Sequence, residues 1–208
     1  VAIVPDSKNG FWVGTQSAGL SHYNPINDNF QRFQAGGKKG DLADNGISAL
    51  KLDAKKLLWV ATNSGNLQWF NEKQKTFQYV PTVNFNAVGR VKSIKDFRQG
   101  LLLGTRNGIF FLANNTAALQ AWPTHSPLTT EIETITQSLD GKEIWVATLE
   151  QGLFHYSAEG ELIKHFKRSD GLADNNVRYL KFDRTGRLWI ATFDGLSRID
   201  SARSIIKT

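Results

Sequence analysis

The sequence has no cysteine and no methionine among its 208 residues. Without cysteine it can form no disulfide framework, no thiolate nucleophile and no zinc–thiolate site. This absence is compatible with the cytoplasm and with an oxidising compartment such as the periplasm. Because the chain does not begin with methionine, we expect it to be an interior piece of a longer protein.

Long apolar runs are also missing. No stretch approaches the roughly 20 apolar residues that a membrane-spanning helix needs. The apolar start, residues 1–4, is followed directly by Pro5 and Asp6, which is not the pattern of a secretory signal peptide. Any targeting or membrane segment is therefore expected outside this sequence.

The charge is positive but evenly spread. The 25 Lys and Arg residues exceed the 19 Asp and Glu residues, which gives a net charge of +6. A basic balance can indicate a nucleic-acid partner, yet the densest basic groups are short: Lys38–Lys39, Lys55–Lys56, and Lys164 with Lys167 and Arg168. Since none is a run of five or six like charges, we expect a solvated surface and no nucleic-acid partner.

Motifs that carry known chemistries are absent as well. The sequence contains no Gly-x-Ser-x-Gly nucleophile elbow, no phosphate-binding loop, no His-Glu-x-x-His and no acidic calcium loop. We therefore predict no catalytic residue, no metal site and no cofactor.

What the sequence does contain is an internal repeat. Five segments of five residues match one another, and each ends in a threonine at a spacing of 43 to 47 residues from the next. A period near 43 residues is typical of propeller blades built from four strands. The segments are Phe11-Trp12-Val13-Gly14-Thr15, Leu58-Trp59-Val60-Ala61-Thr62, Leu101-Leu102-Leu103-Gly104-Thr105, Ile144-Trp145-Val146-Ala147-Thr148 and Leu188-Trp189-Ile190-Ala191-Thr192.

Aspartate marks a turn in front of each segment. It lies six residues before the Trp position in four repeats, and Asp140 lies five residues before it in the fourth repeat. The other four are Asp6, Asp53, Asp96 and Asp183. Because Asp side chains bond to the backbone of the turn that they open, we predict a tight hairpin between the first and second strands at each position.

The second strand of each repeat predicts how the blades pack. In residues 58–62, alternation sends Leu58 and Val60 to one face and Trp59 and Ala61 to the other. Both faces are apolar, so both must be covered, as they are in a blade between two neighbours. The small residue two after the Trp leaves room for a bulky group of the adjacent blade. The repeated Trp residues are therefore predicted as core and not as a sugar-stacking platform.

These features predict an all-β fold, a β-propeller with five four-stranded antiparallel blades. The blades lie approximately at residues 1–34, 46–80, 89–122, 131–166 and 175–207, so residues 1–208 form a single propeller domain or a fragment of one. Five blades either close alone or form part of a larger ring, for example of seven blades. No sustained apolar period of 3.6 residues is present, so helix content is expected to be very low. In the second repeat the strands are predicted at about 46–52, 57–62, 67–71 and 76–80.

Residues 170–192 resemble the two-component regulator propeller repeat. The sequence Asp-Gly-Leu-Ala-Asp-Asn-Asn begins at Asp170, a strand ends at Asp183, and Gly-Arg-Leu-Trp-Ile-Ala-Thr follows at 186–192. This order is similar to the Gly-Leu-x-x-Asn loop, the strand and the Gly-x-Leu-Trp-Ile-Gly-Thr segment of that family. The second repeat begins in the same way at Gly40, whereas the third has Leu102 in place of Trp and lacks the loop.

The resemblance implies the extracytoplasmic sensor of a membrane-anchored bacterial receptor, with a histidine kinase, a hybrid kinase or a diguanylate cyclase as output. It implies a periplasmic location and a small-molecule or oligosaccharide ligand. It also implies contact with neighbouring domains of the same receptor and a homodimer as one assembly. The segment itself is then expected not to be an enzyme.

Candidate ligand contacts come from the face where propellers usually bind ligands. Loops between the second and third strands and between consecutive blades emerge there. Arg106 and Phe193 are the preferred candidates, whereas Asp170 and Asn175 are typical turn caps. The full predicted set is Lys39, Asn63, Arg106, Asn107, Glu150, Gln151, Phe193 and Asp194.

Two other functions are left open by the sequence. A protein-interaction scaffold would use the same surface without a small ligand. A propeller lyase or hydrolase needs His or carboxylate groups that converge on the central channel, and the first strands at 46–52 and 176–182 offer few of them. His22 and His155 occupy the same place in their repeats, which favours a structural role.

Overall fold

The computed structural model describes residues 2–6, 8–80, 88–114 and 119–200, and the backbone of residues 205–207. Within these residues the chain forms twenty β-strands, and a 3₁₀ helix at Arg168–Asp170 precedes the last four. In chain order the strands are β1 (Ala2–Pro5), β2 (Phe11–Gly14), β3 (Leu20–Asn24), β4 (Asn29–Phe33), β5 (Ile47–Leu52), β6 (Leu58–Thr62), β7 (Leu67–Asn71), β8 (Thr76–Tyr79), β9 (Val91–Phe97), β10 (Gly100–Thr105), β11 (Gly108–Ala113), β12 (Leu119–Ala121), β13 (Ile132–Gln137), β14 (Glu143–Thr148), β15 (Leu153–Ser157), β16 (Leu162–Phe166), β17 (Val177–Phe182), β18 (Leu188–Thr192), β19 (Gly195–Ile199) and β20 (Ile205–Lys207).

The strands pair in sequence order into five four-stranded sheets: β1–β4, β5–β8, β9–β12, β13–β16 and β17–β20. Neighbouring strands run antiparallel. The sheets confirm the predicted propeller blades and are numbered blade 1 to blade 5. The chain divides into two compact units, unit 1 (residues 1–103 and 112–119) and unit 2 (residues 104–111 and 120–208), with the division inside blade 3.

In unit 1 the repeated Trp residues lie between two sheets. Trp12 of blade 1 is 5% exposed and shares a core cluster with Ile47 and Val60 of blade 2. Trp59 of blade 2 is 8% exposed and shares a cluster with Leu101 of blade 3. The prediction that these indoles are core is confirmed.

In unit 2 the same arrangement holds between blades 4 and 5. Trp145 is fully buried and packs in one cluster with Val177 and Leu180 of blade 5. Its ring stacks on His155, with centroids 3.7 Å apart, and on Phe166, with centroids 5.9 Å apart. Trp189 of blade 5 is only partly buried.

Strand β6 shows that both faces of a blade are covered, as its sequence predicts. Leu58 and Val60 join the core cluster that contains Trp12 of blade 1. Trp59 and Ala61 join the cluster that contains residues of blade 3. All five residues of β6 are buried. Burial of apolar surface stabilises a protein by about 25 cal/mol per Å². Because the adjacent sheets bury both apolar faces of this blade, contact with its neighbours is the main source of its stability.

Gly14 confirms that the position two after the Trp needs a small residue. A Cβ atom at Gly14 would lie 2.5 Å from Cγ2 of Ile47 in blade 2. No real Cβ contact is that short, so the two sheets could not approach as closely with a larger residue. Alanine fills the equivalent positions Ala61 and Ala147, both fully buried.

An aspartate holds the turn between the first and second strands in blades 2 and 5. The Oδ1 atom of Asp183 accepts the backbone N–H groups of Thr185 and Arg187 at 2.9 and 3.0 Å. Its Oδ2 atom accepts the indole N–H of Trp189 at 3.0 Å. Asp53 makes the three equivalent bonds in blade 2. The turn prediction is confirmed here, and the same carboxylate also fixes the blade's Trp.

Blade 4 divides these two tasks between two carboxylates. Asp140 accepts the backbone N–H of Lys142 at 3.1 Å and so holds the turn. Glu143 accepts the indole N–H of Trp145 at 3.4 Å, and its Oε2 atom lies 3.3 Å from Nε2 of His155.

Blade 3 has the predicted tight hairpin between its first and second strands, but the prediction that Asp96 holds this turn is wrong. This residue lies inside β9, and its carboxylate contacts blade 2: it pairs with Nζ of Lys51 at 2.6 Å and accepts the backbone N–H of Ala54 at 3.3 Å. Only residues 98 and 99 separate β9 from β10, against residues 53–57 between β5 and β6. The short hairpin leaves no loop for Asp96 to hold.

Replacement of Trp145 by alanine is expected to lower the free energy of unfolding by about 3–5 kcal/mol, because it opens a cavity in a fully closed core. Trp189→Ala serves as the matched control and is expected to cost less, since its indole is partly exposed. Urea denaturation followed by circular dichroism measures both losses. Equal losses in the two variants would contradict the conclusion that Trp145 is the more deeply buried and more strongly stabilising of the two residues.

Removal of the carboxylate charge in Asp183→Asn is expected to make stability less sensitive to acid. The indole bond from Trp189 lowers the pKa of Asp183 below its ordinary value of 3.8, opposed by burial and reinforced by the bonds from Thr185 and Arg187. A lowered pKa in the folded state stabilises the protein above about pH 4, and this contribution disappears as pH falls towards the folded-state pKa. Melting temperatures of both proteins between pH 7 and pH 2 should therefore converge in acid, and a constant difference would refute the assignment.

Candidate functional site

The turns and loops of each blade lie at two opposite edges, because consecutive strands run antiparallel. The loop edge consists of the turns between second and third strands and the loops that link consecutive blades. The turn edge consists of the turns between first and second and between third and fourth strands. The predicted ligand contacts all belong to the loop edge.

The linking loops of the loop edge are held by Asx side chains. Asn45 Oδ1 accepts the backbone N–H of Ala35 at 2.8 Å, and Asn175 Oδ1 accepts that of Arg168 at 2.8 Å. Asp174 Oδ1 accepts the backbone N–H of its neighbour Asn176 at 2.7 Å, and this bond is the main reason that the pKa of Asp174 is lowered. These side chains are used within the loop, which confirms the turn-cap interpretation of Asn175.

A buried glutamine anchors the loop before blade 2, and the sequence analysis missed it. Gln68 on β7 has no exposed surface. Its Oε1 atom accepts the backbone N–H of Ala43 at 2.8 Å, and its Nε2 group donates to the carbonyl oxygen of Asp41 at 3.1 Å. Ser197 of blade 5 accepts the N–H of Ala173 in the same way. The available signal was a polar residue in an otherwise apolar strand.

Backbone bonds join the turns and the linking loops of the loop edge into one surface within each unit. In unit 1 the N–H of Gly19 donates to the carbonyl oxygen of Asn45 at 2.9 Å. In unit 2 the N–H of Gly152 donates to that of Asn175 at 2.8 Å, and the N–H of Phe193 donates to Asn176 at 3.0 Å. The side chains of these turns project from this hydrogen-bonded backbone, and several of them are exposed.

Six of the eight predicted contacts lie in unit 2, and all six are exposed. Phe193 is 83% exposed. Asp194 beside it lies 3.9 Å from Arg168, which the predicted set did not include and which also lies 3.9 Å from Asp174. The structure thus brings together an aromatic ring, a carboxylate and a guanidinium at this turn. The remaining members in unit 2 are Arg106 and Asn107 in the β10–β11 turn and Glu150 and Gln151 in the β14–β15 turn.

The other two predicted contacts, Lys39 and Asn63, are exposed at the loop edge of unit 1. The backbone N–H of Asn63 donates to the carbonyl oxygen of Gly46 at 2.7 Å, which leaves its side chain on the surface.

Grooves form at the turn edge, which the sequence did not indicate. In unit 1 one groove of about 270 Å³ is lined by Trp12, His22 and Trp69. Asp6 lines the same groove, and its Oδ2 atom lies at hydrogen-bond distance, 2.7 Å, from Nε2 of His22. The His22 ring stacks on Trp12, with centroids 4.2 Å apart. The latter geometry confirms that His22 supports the core Trp, as His155 does in blade 4.

Two further observations concern metal ions and membranes. Among the residues that the structure describes, no three His, Cys, Asp or Glu side chains are grouped so that they could hold a metal ion. In the same part of the chain, no helix has the length and apolar character needed to cross a membrane.

The model of the two component regulator propeller family matches residues 171–194. The chain is 28% identical to Histidine kinase P4 of Formosa agariphila over 91% of its own length, but it spans only 15% of that protein. The whole of this chain also superimposes on an extracellular domain assigned to the hybrid two component system BT4673 of B. thetaiotaomicron, with a TM-score of 0.81, 20% identity and 30% of that chain covered.

A second solved structure, virginiamycin B lyase of Staphylococcus aureus, also covers the whole chain, with a TM-score of 0.75, 13% identity and 68% of its own length matched. At these identities the two structural likenesses show the fold. Together with the matched segment, they agree with the resemblance seen in the sequence. The chain therefore carries the two-component regulator propeller repeat within a β-propeller fold.

Proposed function

We propose that this chain is the ligand-sensing propeller module of an extracytoplasmic receptor of the two-component type. The observation that carries the proposal is the similarity to a histidine kinase over 91% of the chain, together with the repeat at residues 171–194. In this proposal the segment binds and transmits and performs no chemistry. Its location is the periplasmic side of a membrane-anchored receptor.

The proposed ligand is an oligosaccharide that contacts the loop edge. Phe193 offers an exposed ring for the apolar face of a sugar, and Asp194 and Arg168 beside it offer hydrogen-bond partners for hydroxyl groups. Such a combination of an aromatic surface and a few polar groups is typical of ligand sites. Arg106, Asn107, Glu150 and Gln151 would extend this surface in unit 2, and Lys39 and Asn63 in unit 1.

Signalling requires that the ligand bind one of two states more tightly. The two states would differ in how the propeller contacts neighbouring domains of the receptor or a second protomer. A ligand shifts such an equilibrium only by its difference in affinity for them. The alternative of a protein-interaction scaffold would place a partner protein on the same loop edge.

The replacement Phe193→Ala is expected to abolish the rise in melting temperature that an oligosaccharide produces, because a bound ligand stabilises the folded state by mass action. The melting temperature without ligand should stay the same, since the ring is 83% exposed. Thermal-shift measurements over a panel of oligosaccharides provide the test.

Leu139→Ala is the matched control, because Leu139 is an exposed apolar residue of unit 2 at the turn edge, 69% exposed. It should leave the ligand-induced shift intact. A shift that survives in Phe193→Ala and disappears in Leu139→Ala would overturn the loop edge as the site. A panel without any stabilising sugar, with a partner protein that co-purifies, would favour the scaffold.

A further inference from the structure

We propose that the turn edge of blades 1 and 2 docks on an anionic lipid surface. This part of the molecule is called the lysine edge and consists of the four turns at residues 6–10, 25–28, 53–57 and 72–75. It lies at the opposite edge of these blades from the predicted ligand contacts Lys39 and Asn63. The proposal therefore concerns a second partner and goes beyond the function proposed above.

Blades 1 and 2 hold these turns beside one another. Lys8 of blade 1 pairs with Glu72 of blade 2, with the Nζ and Oε1 atoms 3.4 Å apart. A groove of about 270 Å³ between the two blades is lined by Lys8, Lys56 and Lys73, which come from three different turns. The turns are thus neighbours in the folded chain and form one surface, although they are far apart in the sequence.

The lysines of this edge extend into solvent. Lys8 and Lys75 share a single carboxylate, that of Glu72, at 3.4 and 3.7 Å. In the part of the chain that the structure describes, the other three lysines form no ion pair. Positive charge is therefore in excess among the exposed groups. The five lysines, all exposed, are Lys8, Lys55, Lys56, Lys73 and Lys75.

The other carboxylates of the lysine edge are used inside the protein. Asp53 is 9% exposed and accepts two backbone N–H groups and the indole N–H of Trp59. Asp6, whose side chain is 13% exposed, accepts two backbone N–H groups of its own turn. Asp28 accepts the hydroxyl group of Tyr23 at 2.9 Å. An ammonium group at the end of a long exposed side chain meets an approaching surface before these carboxylates do.

The corresponding turns of blades 4 and 5 have the opposite balance of charge. The lysine edge has five lysines and four carboxylates, whereas the described residues of these other turns have three cations and five carboxylates. Packing within the repeat therefore does not require basic turns. The residues in blades 4 and 5 are Lys142, Arg184 and Arg187, and Asp140, Glu159, Glu161, Asp183 and Asp200.

An exposed aliphatic residue accompanies the lysines. Ile26 in the β3–β4 turn is 83% exposed, and it lines a groove of about 610 Å³ together with Lys8 and Lys75. Lysines beside an exposed apolar side chain suit an anionic bilayer, because the charges attract the headgroups and the apolar group enters the boundary with the acyl chains. An aliphatic side chain at this place favours a lipid surface over a single-stranded nucleic acid, whose bases stack on aromatic rings.

Co-sedimentation of the whole chain, residues 1–208, with lipid vesicles tests the proposal. Vesicles of equimolar phosphatidylglycerol and phosphatidylcholine should bind the chain, and vesicles of phosphatidylcholine alone should bind it much less. Binding to the anionic vesicles should weaken as salt rises. The double replacement of Lys56→Gln with Lys73→Gln should lower the partition coefficient about tenfold or more, because each lysine near an anionic surface adds to the attraction.

A matched double replacement removes the same charge elsewhere. Lys38→Gln with Lys167→Gln takes two exposed lysines from the linking loops of the loop edge. It leaves the chain with the same net charge as the lysine-edge variant and should leave the partition coefficient nearly unchanged. Equal losses in the two double variants would show that the net charge of +6 attracts the chain to vesicles without a defined surface, and the docking surface would be refuted.

The replacement Ile26→Ser separates insertion from attraction. It should lower binding to anionic vesicles about fivefold at low and at high salt, because apolar burial is not screened by ions. Ile163→Ser is its control, since Ile163 is 54% exposed and lies on the outer strand β16. All of the replaced residues are exposed, so the variants should melt at the same temperature as the parent chain.

Several results would overturn the lipid partner. Equal binding to anionic and neutral vesicles would remove the electrostatic attraction, and equal losses in Ile26→Ser and Ile163→Ser would remove the insertion. A lysine-edge variant that loses affinity for a single-stranded oligonucleotide but not for vesicles would assign the surface to a nucleic acid. None of these results alters the response of Phe193→Ala to oligosaccharides, which tests the proposed function separately.

Discussion

The structure depends on the enclosure of one indole between two sheets. Trp12, Trp59 and Trp145 each share a core cluster with the first strand of the following blade, which contributes Ile47, Val91 and Val177. A single four-stranded sheet with two apolar faces has no stable state in water, because neither face is covered. Each blade therefore folds only against a neighbour, and the sequence must repeat the same packing residues at a nearly constant period.

The carboxylate that bonds the indole links this core to the surface turn. In blades 2 and 5 one aspartate holds both the backbone of the turn and the indole N–H, and in blade 4 Asp140 and Glu143 share the work. A buried indole N–H without a partner would cost about 1–3 kcal/mol. In these three blades the turn residues are thus constrained by the core, which explains why a carboxylate stands in front of the Trp there.

Strand positions could be predicted because their causes are local. Alternation and the Asp and Gly turns place the strands of blade 2 within one residue of β5 to β8. The failure at Asp96 has a different cause, since the length of a hairpin is set by strand register and not by the presence of an aspartate. Gln68 was missed because its partners, the backbone groups of Asp41 and Ala43, lie 25 to 27 residues away in the chain.

The candidate sites differ in the same respect. Exposed residues such as Phe193 could be placed at the loop edge from the order of the strands alone. The grooves at the turn edge could not be predicted, because they are spaces between turns of adjacent blades and have no sequence motif.

Comparison of equivalent positions in the five repeats nevertheless shows which residues serve packing. Packing explains a residue that recurs in the same contact, as His22 and His155 do on their indoles. Trp69 fills the same cross-strand position in blade 2, where it pairs with Trp59 and packs against the core cluster that blades 2 and 3 share. The residue beside the blade Trp thus varies from His to Trp to Arg, and the constraint on this position is contact with the indole, which several side chains satisfy.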